Sequence, residues 1–455
     1  NKAQFAGSPS GISGSLHATA IKNLPFQLTK TQENCLKEIL QDMVQDKRMV
    51  RLLHGDVGSG KTVIAFLAMV STVDLDYQAT LMVPTEILAR QHYDTISPWC
   101  EEIGIKCCLL TGSSKAKERT RILQDIVKGE VKIVIGTHAI FQPEVQFQKL
   151  AFAVIDEQHK FGVHQRLTLS QKGDNVDLLV LSATPIPRTL LMTAYGDMDV
   201  SRLTSKPINR GIIKTAAKPL SQIQSVIKAV SRSINQGGKV YWVCPLIEES
   251  NLIELSAATA RYKALKSRFG SRVGIVHGQL DHSDKDKIIN NFAHGSLDIL
   301  VATTVIEVGV DVPDATVMVI EQAERFGLSQ LHQLRGRVGR SEKPGNCVLL
   351  YGHPLTNTAR ARLDILRQTT DGFLIAEEDL RLRGAGDLLG KKQSGLPQFK
   401  IAELPLHSEL LWAAHRYARL ITNADNFLEE PSGPALQNLL YLFQRDSALS
   451  LLQSG

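Results

Sequence analysis

Apolar residues along this chain fall in short blocks rich in Val, Ile and Leu, separated by longer stretches where apolar positions recur at helical intervals. In the first half the blocks are "MVRLLHG" (49–55), "ATLMVP" (79–84), "VKIVIGT" (131–137), "FAVID" (152–156) and "DLLVLSAT" (177–184). Most lack a polar alternation, the pattern of strands covered on both faces of a parallel sheet. The rhythm stops at "LTSKPINRG" (203–211) and then resumes with "KVYWVCP" (239–245), "RVGIVHG" (272–278), "LDILVATT" (297–304), "ATVMVIE" (315–321) and "NCVLLY" (346–351). After residue 356 the chain turns to Arg-rich helical spacing, and Leu-rich helical spans broken by "EEPSGP" fill 401–455. The pattern predicts two α/β parallel-sheet lobes in tandem with a C-terminal helical hairpin and helical tail. Its boundaries are a linker at 1–24, lobe one at 25–208, lobe two at 209–355 and a helical region at 356–455.

Composition narrows this only a little. A chain of 455 residues is too long for one core, and 43% hydrophobic with 22% charged residues is ordinary for a folded, soluble protein. The formal charge of +6 permits a polyanionic partner without demanding one. The six cysteines show no metal-ligand spacing and read as reduced, buried thiols of a cytosolic protein. No stretch is long and apolar enough to span a membrane. The small, polar start "NKAQFAGSPSGISGSLHATAIKN" has no signal core and reads as a linker entered mid-chain.

The chemistry begins in "LLHGDVGSGKT" (52–62), a Gly-x-x-x-x-Gly-Lys-Thr pattern that directly follows an apolar strand. Gly55, Gly58 and Gly60 let the backbone wrap so that its N–H groups face phosphates, and the helix that follows turns its positive end toward them. Lys61 can neutralise β/γ charge, and Thr62 can ligate Mg²⁺. A strand ending in Asp156 then suits the second Mg²⁺ ligand, with Glu157 polarising the attacking water and Gln158 and His159 sensing the γ-phosphate or the neighbouring lobe. In the second half, "HQLRGRVGR" (332–340) places Gln333, Arg337 and Arg340 in a Gly-punctuated segment. Its glycines allow two surfaces to approach closely, and either arginine can act as a finger on a γ-phosphate held by the other lobe. The blander readings are a Gly-rich turn, a strand running into an acidic turn and a solvated basic helix. Together the segments favour ATP with Mg²⁺.

From about residue 25 to 400 the chain resembles superfamily 2 helicases. "DEQH" (156–159), "SAT" (182–184) and "QLRGRVGR" (333–340) carry the likeness. It implies two RecA-like lobes and an adenine-reading segment in "PFQLTKTQ" (25–32), where Phe26 stacks and Gln32 hydrogen-bonds the base. By the same resemblance, "VPTEILARQH" (83–92), "TGS" (111–113), "GTHAIF" (136–141) and "VHGQL" (276–280) touch nucleic acid. The residues concerned are Pro84, Thr85, Arg90, Thr111, Gly112, Thr137, His138 and His277. "ILVATTVIEVGVDVPDA" (299–315) supplies Thr303, Thr304, Glu307, Gly309 and Asp311 at the lobe interface. Within this superfamily, "GDVGSGKT", "DEQHKFGVHQR", "SATPIPRTL" and "DGFLIAEEDLRLRGAGDLLGKKQSG" resemble the RecG family of DNA helicases. The last segment looks like the hairpin and loop shared with transcription-repair coupling factors. There Arg362 and Arg383 would be the hairpin arginines and Gln393 the loop glutamine, coupling lobe movement to translocation on duplex DNA.

What the resemblance implies is an ATP-dependent translocase that remodels branched and duplex DNA, such as stalled forks and Holliday junctions. It would be a cytoplasmic bacterial monomer, with a single-strand-binding protein or replication and repair factors as possible partners and no membrane association. The residues ahead of lobe one are too few for the wedge domain that the family implies. Three other readings stand beside it: the motor of a coupling factor acting on RNA polymerase, an RNA helicase, and a non-enzymatic nucleic-acid module. Trp99, Trp242 and the Cys107–Cys108 pair read as core.

Overall fold

In the computed structural model the described residues are 14–112, 116–156, 172, 176–183, 187, 198–205, 211–245, 251–303, 312, 314–339, 343–390, 407–423 and 432–443. Seven strands form the first sheet: β1 (Val50–Gly55), β2 (Gln78–Met82), β3 (Cys107–Leu110), β4 (Ile133–Gly136), β5 (Leu150–Asp156), β6 (Asp177–Ser182) and β7 (Asp199–Leu203), in the order β3-β4-β2-β5-β6-β1-β7. Six more form the second: β8 (Ile213–Pro219), β9 (Lys239–Val243), β10 (Val273–Val276), β11 (Ile299–Ala302), β12 (Ala315–Ile320) and β13 (Gly345–Tyr351), in the order β10-β11-β9-β12-β13-β8. Every pairing in both sheets is parallel.

Burial on both faces explains the unbroken apolar strands. Leu53, Phe152, Val154, Leu179 and Leu181 enter one core of lobe one, while Leu52, Ala153, Ile155, Leu178 and Val180 enter the other. Lobe two repeats the scheme, with Met318 and Ile320 on one side of β12 and Val317 and Val319 on the other. The strands absent from the apolar blocks, β3, β7 and β8, are all edge strands. In β8 half-buried and exposed positions alternate from Ile213 to Ala217, and "IKTAAKP" carries no apolar run.

Within the segment expected as a linker, Ser15–Asn23 forms a helix, α1, which packs on α3 (Lys61–Asp74). The Asp74 carboxylate accepts the N–H groups of Leu16 and His17 at 3.3 and 3.0 Å. The His17 ring lies against Ser71 Oγ at 2.7 Å and the Leu67 carbonyl at 3.2 Å. At the other end, helices Asn357–Gln368 and Gly372–Gly390 form the expected hairpin, followed by helices Ser408–Asn423 and Ser432–Leu442.

All six cysteines are free, and all but the half-buried Cys107 are buried. Burial pushes the Cys35 thiol up to about 11 and those of Cys108 and Cys347 to about 12, so none of these is a thiolate at neutral pH. Trp242 is fully buried and Trp99 packs against the core of lobe one. No helix among the described residues is long and apolar enough to cross a membrane.

Candidate nucleotide site and nucleic-acid face

The phosphate loop is held from behind by a side chain of the helix that precedes β1. Gly60 caps α3 at φ +86°, a conformation that a side chain resists, and a Cβ there would lie 2.2 Å from Gln32 Nε2. Gln32 itself is buried in α2 (Lys30–Met43). Its Oε1 accepts the Thr29 N–H at 2.8 Å and its Nε2 donates to the Ser59 carbonyl at 3.0 Å. Thus the residue expected to read a base also braces the loop. Lys61 is buried, and its Nζ donates to the carbonyls of Gly55 and Asp56 at 2.7 and 3.0 Å. Thr62 follows in the first turn of α3, which carries no acidic residue, so the positive end of the helix is not offset there. Phe26 is 44% exposed and sets its ring edge-on to Trp99 at 6.3 Å, leaving aromatic surface open.

Strand register brings Asp156 to the same edge. Asp156 pairs with Leu181 on β6, and Leu181 pairs with Leu53 on β1, so the carboxylate stands level with the strand that feeds the loop. It is buried, and its Oδ2 meets His92 Nε2 at 3.0 Å. His92 lies on α4 (Glu86–Glu102), which opens at Thr85, where the Leu88 N–H bonds back to the threonine hydroxyl. Glu157, Gln158, His159, Thr304, Glu307, Gly309, Asp311, Arg340 and Gln393 lie outside the described residues, as does the Arg383 side chain.

Lobe two closes on the loop through the helix Leu328–Arg335 and the turn after it. A Cβ on Gly336 would stand 3.1 Å from Val57 Cβ, so only glycine lets the two surfaces meet without displacement. Arg337, half-buried, follows directly, and Gln333 is half-buried on the same helix. Two neighbours that sequence reasoning passed over are more deeply placed. His332 and Arg335 are each 2% exposed, and His332 Nε2 reaches Asp56 Oδ1 in the phosphate loop at 2.7 Å. Their signal was positional: they share the buried face of the helix with Leu328, Leu331 and Leu334. His92 carried no comparable signal, because its partner is distant in sequence.

The segments expected at nucleic acid gather on the other half of the carboxyl edge. Pro84, Thr85 and Arg90 follow β2, Thr111 and Gly112 follow β3, and Thr137 and His138 follow β4; these strands are neighbours in the order β3-β4-β2. Arg90, Gly112 and His138 are exposed, whereas Thr111 and Thr137 are buried. In lobe two, His277 follows β10 and Thr303 follows its neighbour β11. Burial, helped by the Lys285 charge, lowers the His277 pKa, and its Nδ1 has no hydrogen-bond partner among the described residues. In the hairpin, Arg362 is half-buried and its Nε likewise meets no partner among the described residues. Ligands of open parallel sheets bind along this carboxyl edge, and here the residues expected at phosphate and those expected at nucleic acid fall on different parts of it.

The family of DEAD/DEAH box helicases matches residues 29–193, the helicase conserved C-terminal domain matches 221–342, and the RecG domain 3 C-terminal family matches 369–446. The ATP-dependent DNA helicase RecG of Streptococcus pneumoniae is 48% identical over 416 residues, which cover 91% of this chain and 62% of that protein. Over nine-tenths of its length the chain is similar to this helicase. RecG of Escherichia coli K12 is 46% identical over 424 residues, covering 92% of this chain and 61% of its own length. A solved RecG bound to a three-way DNA junction superposes with a TM-score of 0.77 at 42% identity, covering 90% of this chain and 54% of that one. The chain therefore spans about three-fifths of the length of these curated RecG relatives.

Proposed function

We propose that this chain is the ATP-driven motor of a RecG-type helicase, which moves along duplex DNA and remodels branched DNA such as stalled forks and Holliday junctions in recombination and repair. The observation that supports this most is the meeting of the phosphate loop with the Gly336–Arg337 turn of lobe two, beside a helical hairpin that packs on the same lobe. Lys61 and the loop N–H groups hold the β- and γ-phosphates, while Phe26 and Gln32 hold the adenine. Oxygen donors at Thr62 and Asp156 fit Mg²⁺, a cation that takes few protein ligands when it shares phosphates. Bound there, Mg²⁺ would neutralise charge on the β- and γ-oxygens. Glu157 polarises the attacking water, and Arg337 or Arg340 stabilises the charge that develops on the transferred group. Gln158, His159, Gln333, Gly309 and Asp311 line the lobe interface. Pro84, Thr85, Arg90, Thr111, Gly112, Thr137, His138, His277 and Thr303 hold the DNA backbone, and Arg362, Arg383 and Gln393 transmit movement to the duplex.

The matched C-terminal family domain and the relatives bear the RecG name, which favours this reading over the motor of a transcription-repair coupling factor. In that setting the protein is cytoplasmic and works as a monomer, with a single-strand-binding protein or other replication and repair factors as partners. The test is ATP hydrolysis by this chain with no nucleic acid, single-stranded RNA, linear duplex DNA or a three-way fork. Greatest stimulation by duplex or fork is expected, falling steeply as salt rises because the contacts are to phosphates. Stimulation by RNA alone, or DNA affinity indifferent to salt, would sink the proposal.

A further inference from the structure

The turn between the hairpin helices Asn357–Gln368 and Gly372–Gly390 is gripped by residues that lead back to the phosphate loop. Arg335 donates one guanidinium nitrogen to the carbonyls of Leu366 and Thr369, at 2.7 and 2.8 Å, where the first hairpin helix ends. Its other terminal nitrogen meets His332 Nδ1 at 2.7 Å, and His332 Nε2 meets Asp56 Oδ1 at 2.7 Å. A guanidinium can only donate, so Nδ1 accepts and the imidazole presents its Nε2 proton to the carboxylate. Asp56 Oδ1 also accepts the Val57 N–H at 2.7 Å, within the loop itself. None of the three residues is more than 6% exposed. A second contact runs alongside: Phe373, just past the turn, meets the His54 ring edge-on at 4.8 Å, with the Arg202 guanidinium 5.9 Å from its centre.

One continuous path of buried hydrogen bonds thus joins lobe one, lobe two and the hairpin turn. We propose that His332 is a positioning residue which transmits the state of the phosphate loop to that turn through Asp56 on one side and Arg335 on the other. The inference rests on the nucleotide reading above and deepens it by naming the link. Asp56 lies in the loop that would wrap a nucleotide, so a change in its carboxylate is felt at His332. Arg335 is committed to two carbonyls of the turn, so displacing His332 alters the frame that holds them. The path bypasses Arg337 and Arg340, and therefore separates coupling from chemistry.

The test is hydrogen exchange on the full chain with and without a non-hydrolysable ATP analogue and Mg²⁺, read at residues 56–62 and 366–374. In the unmodified protein the analogue slows exchange in the loop and changes it at the turn by about fivefold or more. His332→Leu, similar in bulk, keeps the loop response and loses the turn response. His332→Gln, which retains an N–H donor, recovers at least part of it, and Phe373→Leu leaves it in place because the hydrogen bonds remain. A turn response unchanged in His332→Leu overturns the relay. So does an equal loss in His332→Leu and His332→Gln, which would reduce His332 to packing. Failure of the analogue to slow the loop in the unmodified protein would overturn the nucleotide reading itself, and the relay with it.

Discussion

The two lobes build their shares of the cleft by opposite means. Lobe one uses backbone: a strand end, a loop with left-handed glycines at Gly58 and Gly60, and a helix N-terminus, with Lys61 folded onto the loop carbonyls. Lobe two uses buried side chains on one helix, where His332 and Arg335 tie the phosphate loop to the hairpin. The difference teaches where each lobe is vulnerable. A backbone cradle survives the loss of its lysine as a fold but loses chemistry. A buried side-chain network loses stability as soon as one member is removed.

Substitutions that set chemistry against folding probe this contrast most strongly. Lys61→Ala is expected to lower DNA-stimulated ATP hydrolysis by about 10²–10³-fold, measured as phosphate release, since on the proposed function it removes a charge that would stabilise the transition state. Its urea unfolding midpoint should shift only slightly. The reverse holds for Arg335→Leu, which strands the Leu366 and Thr369 carbonyls and the His332 ring. A loss of about 2–4 kcal/mol in urea unfolding is expected, on the scale of removing one partner from a buried charged network. Equal effects of the two substitutions on stability would erase the distinction between the lobes.

A middle case lies where the two surfaces touch. Gly336→Val adds bulk against Val57, and the overpacking should hold the lobes slightly apart. We expect a fall of about tenfold in kcat, equivalent to ~1.4 kcal/mol, with nucleotide affinity of the isolated loop nearly unchanged. A KM effect without a kcat effect would show that the close approach serves binding rather than catalysis.

The smallest effect concerns the docking of α1. Burial lowers the His17 pKa, with the Leu67 carbonyl and Asp74 opposing only in part. The unfolded chain therefore binds a proton more readily than the folded one. Stability contributed at this site is fully present above the ordinary histidine range and is lost as pH falls through it toward the folded value. Unfolding followed from pH 7 to pH 5 should show a steeper decline in the unmodified protein than in His17→Gln. Parallel declines would mean that α1 docks without regard to this ring.

Most of the framework is legible in the sequence because it rests on burial and on backbone geometry. Strands covered on both faces read as apolar runs, and the glycine spacing of the phosphate loop reads directly as a cradle. What escapes does so for physical reasons. The edge strands β7 and β8 mix polar and apolar positions, since many of their residues are only half-buried or exposed. The α1 segment looks like a polar linker because only Leu16, Ala20 and Leu24 reach the core, and Asp74 and a buried histidine complete the docking. In the cleft, His92 and Asp156 are 64 positions apart, and Asp56 and His332 are 276 apart, so only the folded chain, and for the second pair the meeting of the lobes, brings them together.

The adjacency of β3, β4 and β2 also sets a length. Neighbouring strands lie about 4.8 Å apart, so the loops that carry Gly112, His138 and Arg90 are spread over about 10 Å of the carboxyl edge. Along a duplex that distance corresponds to a rise of about three base pairs. On the proposed function, a polyanion lying on this edge would be held by lobe one over a very short track, too brief to sense much sequence or to bear load alone. A steady grip would then need the β10-β11 edge of lobe two as well.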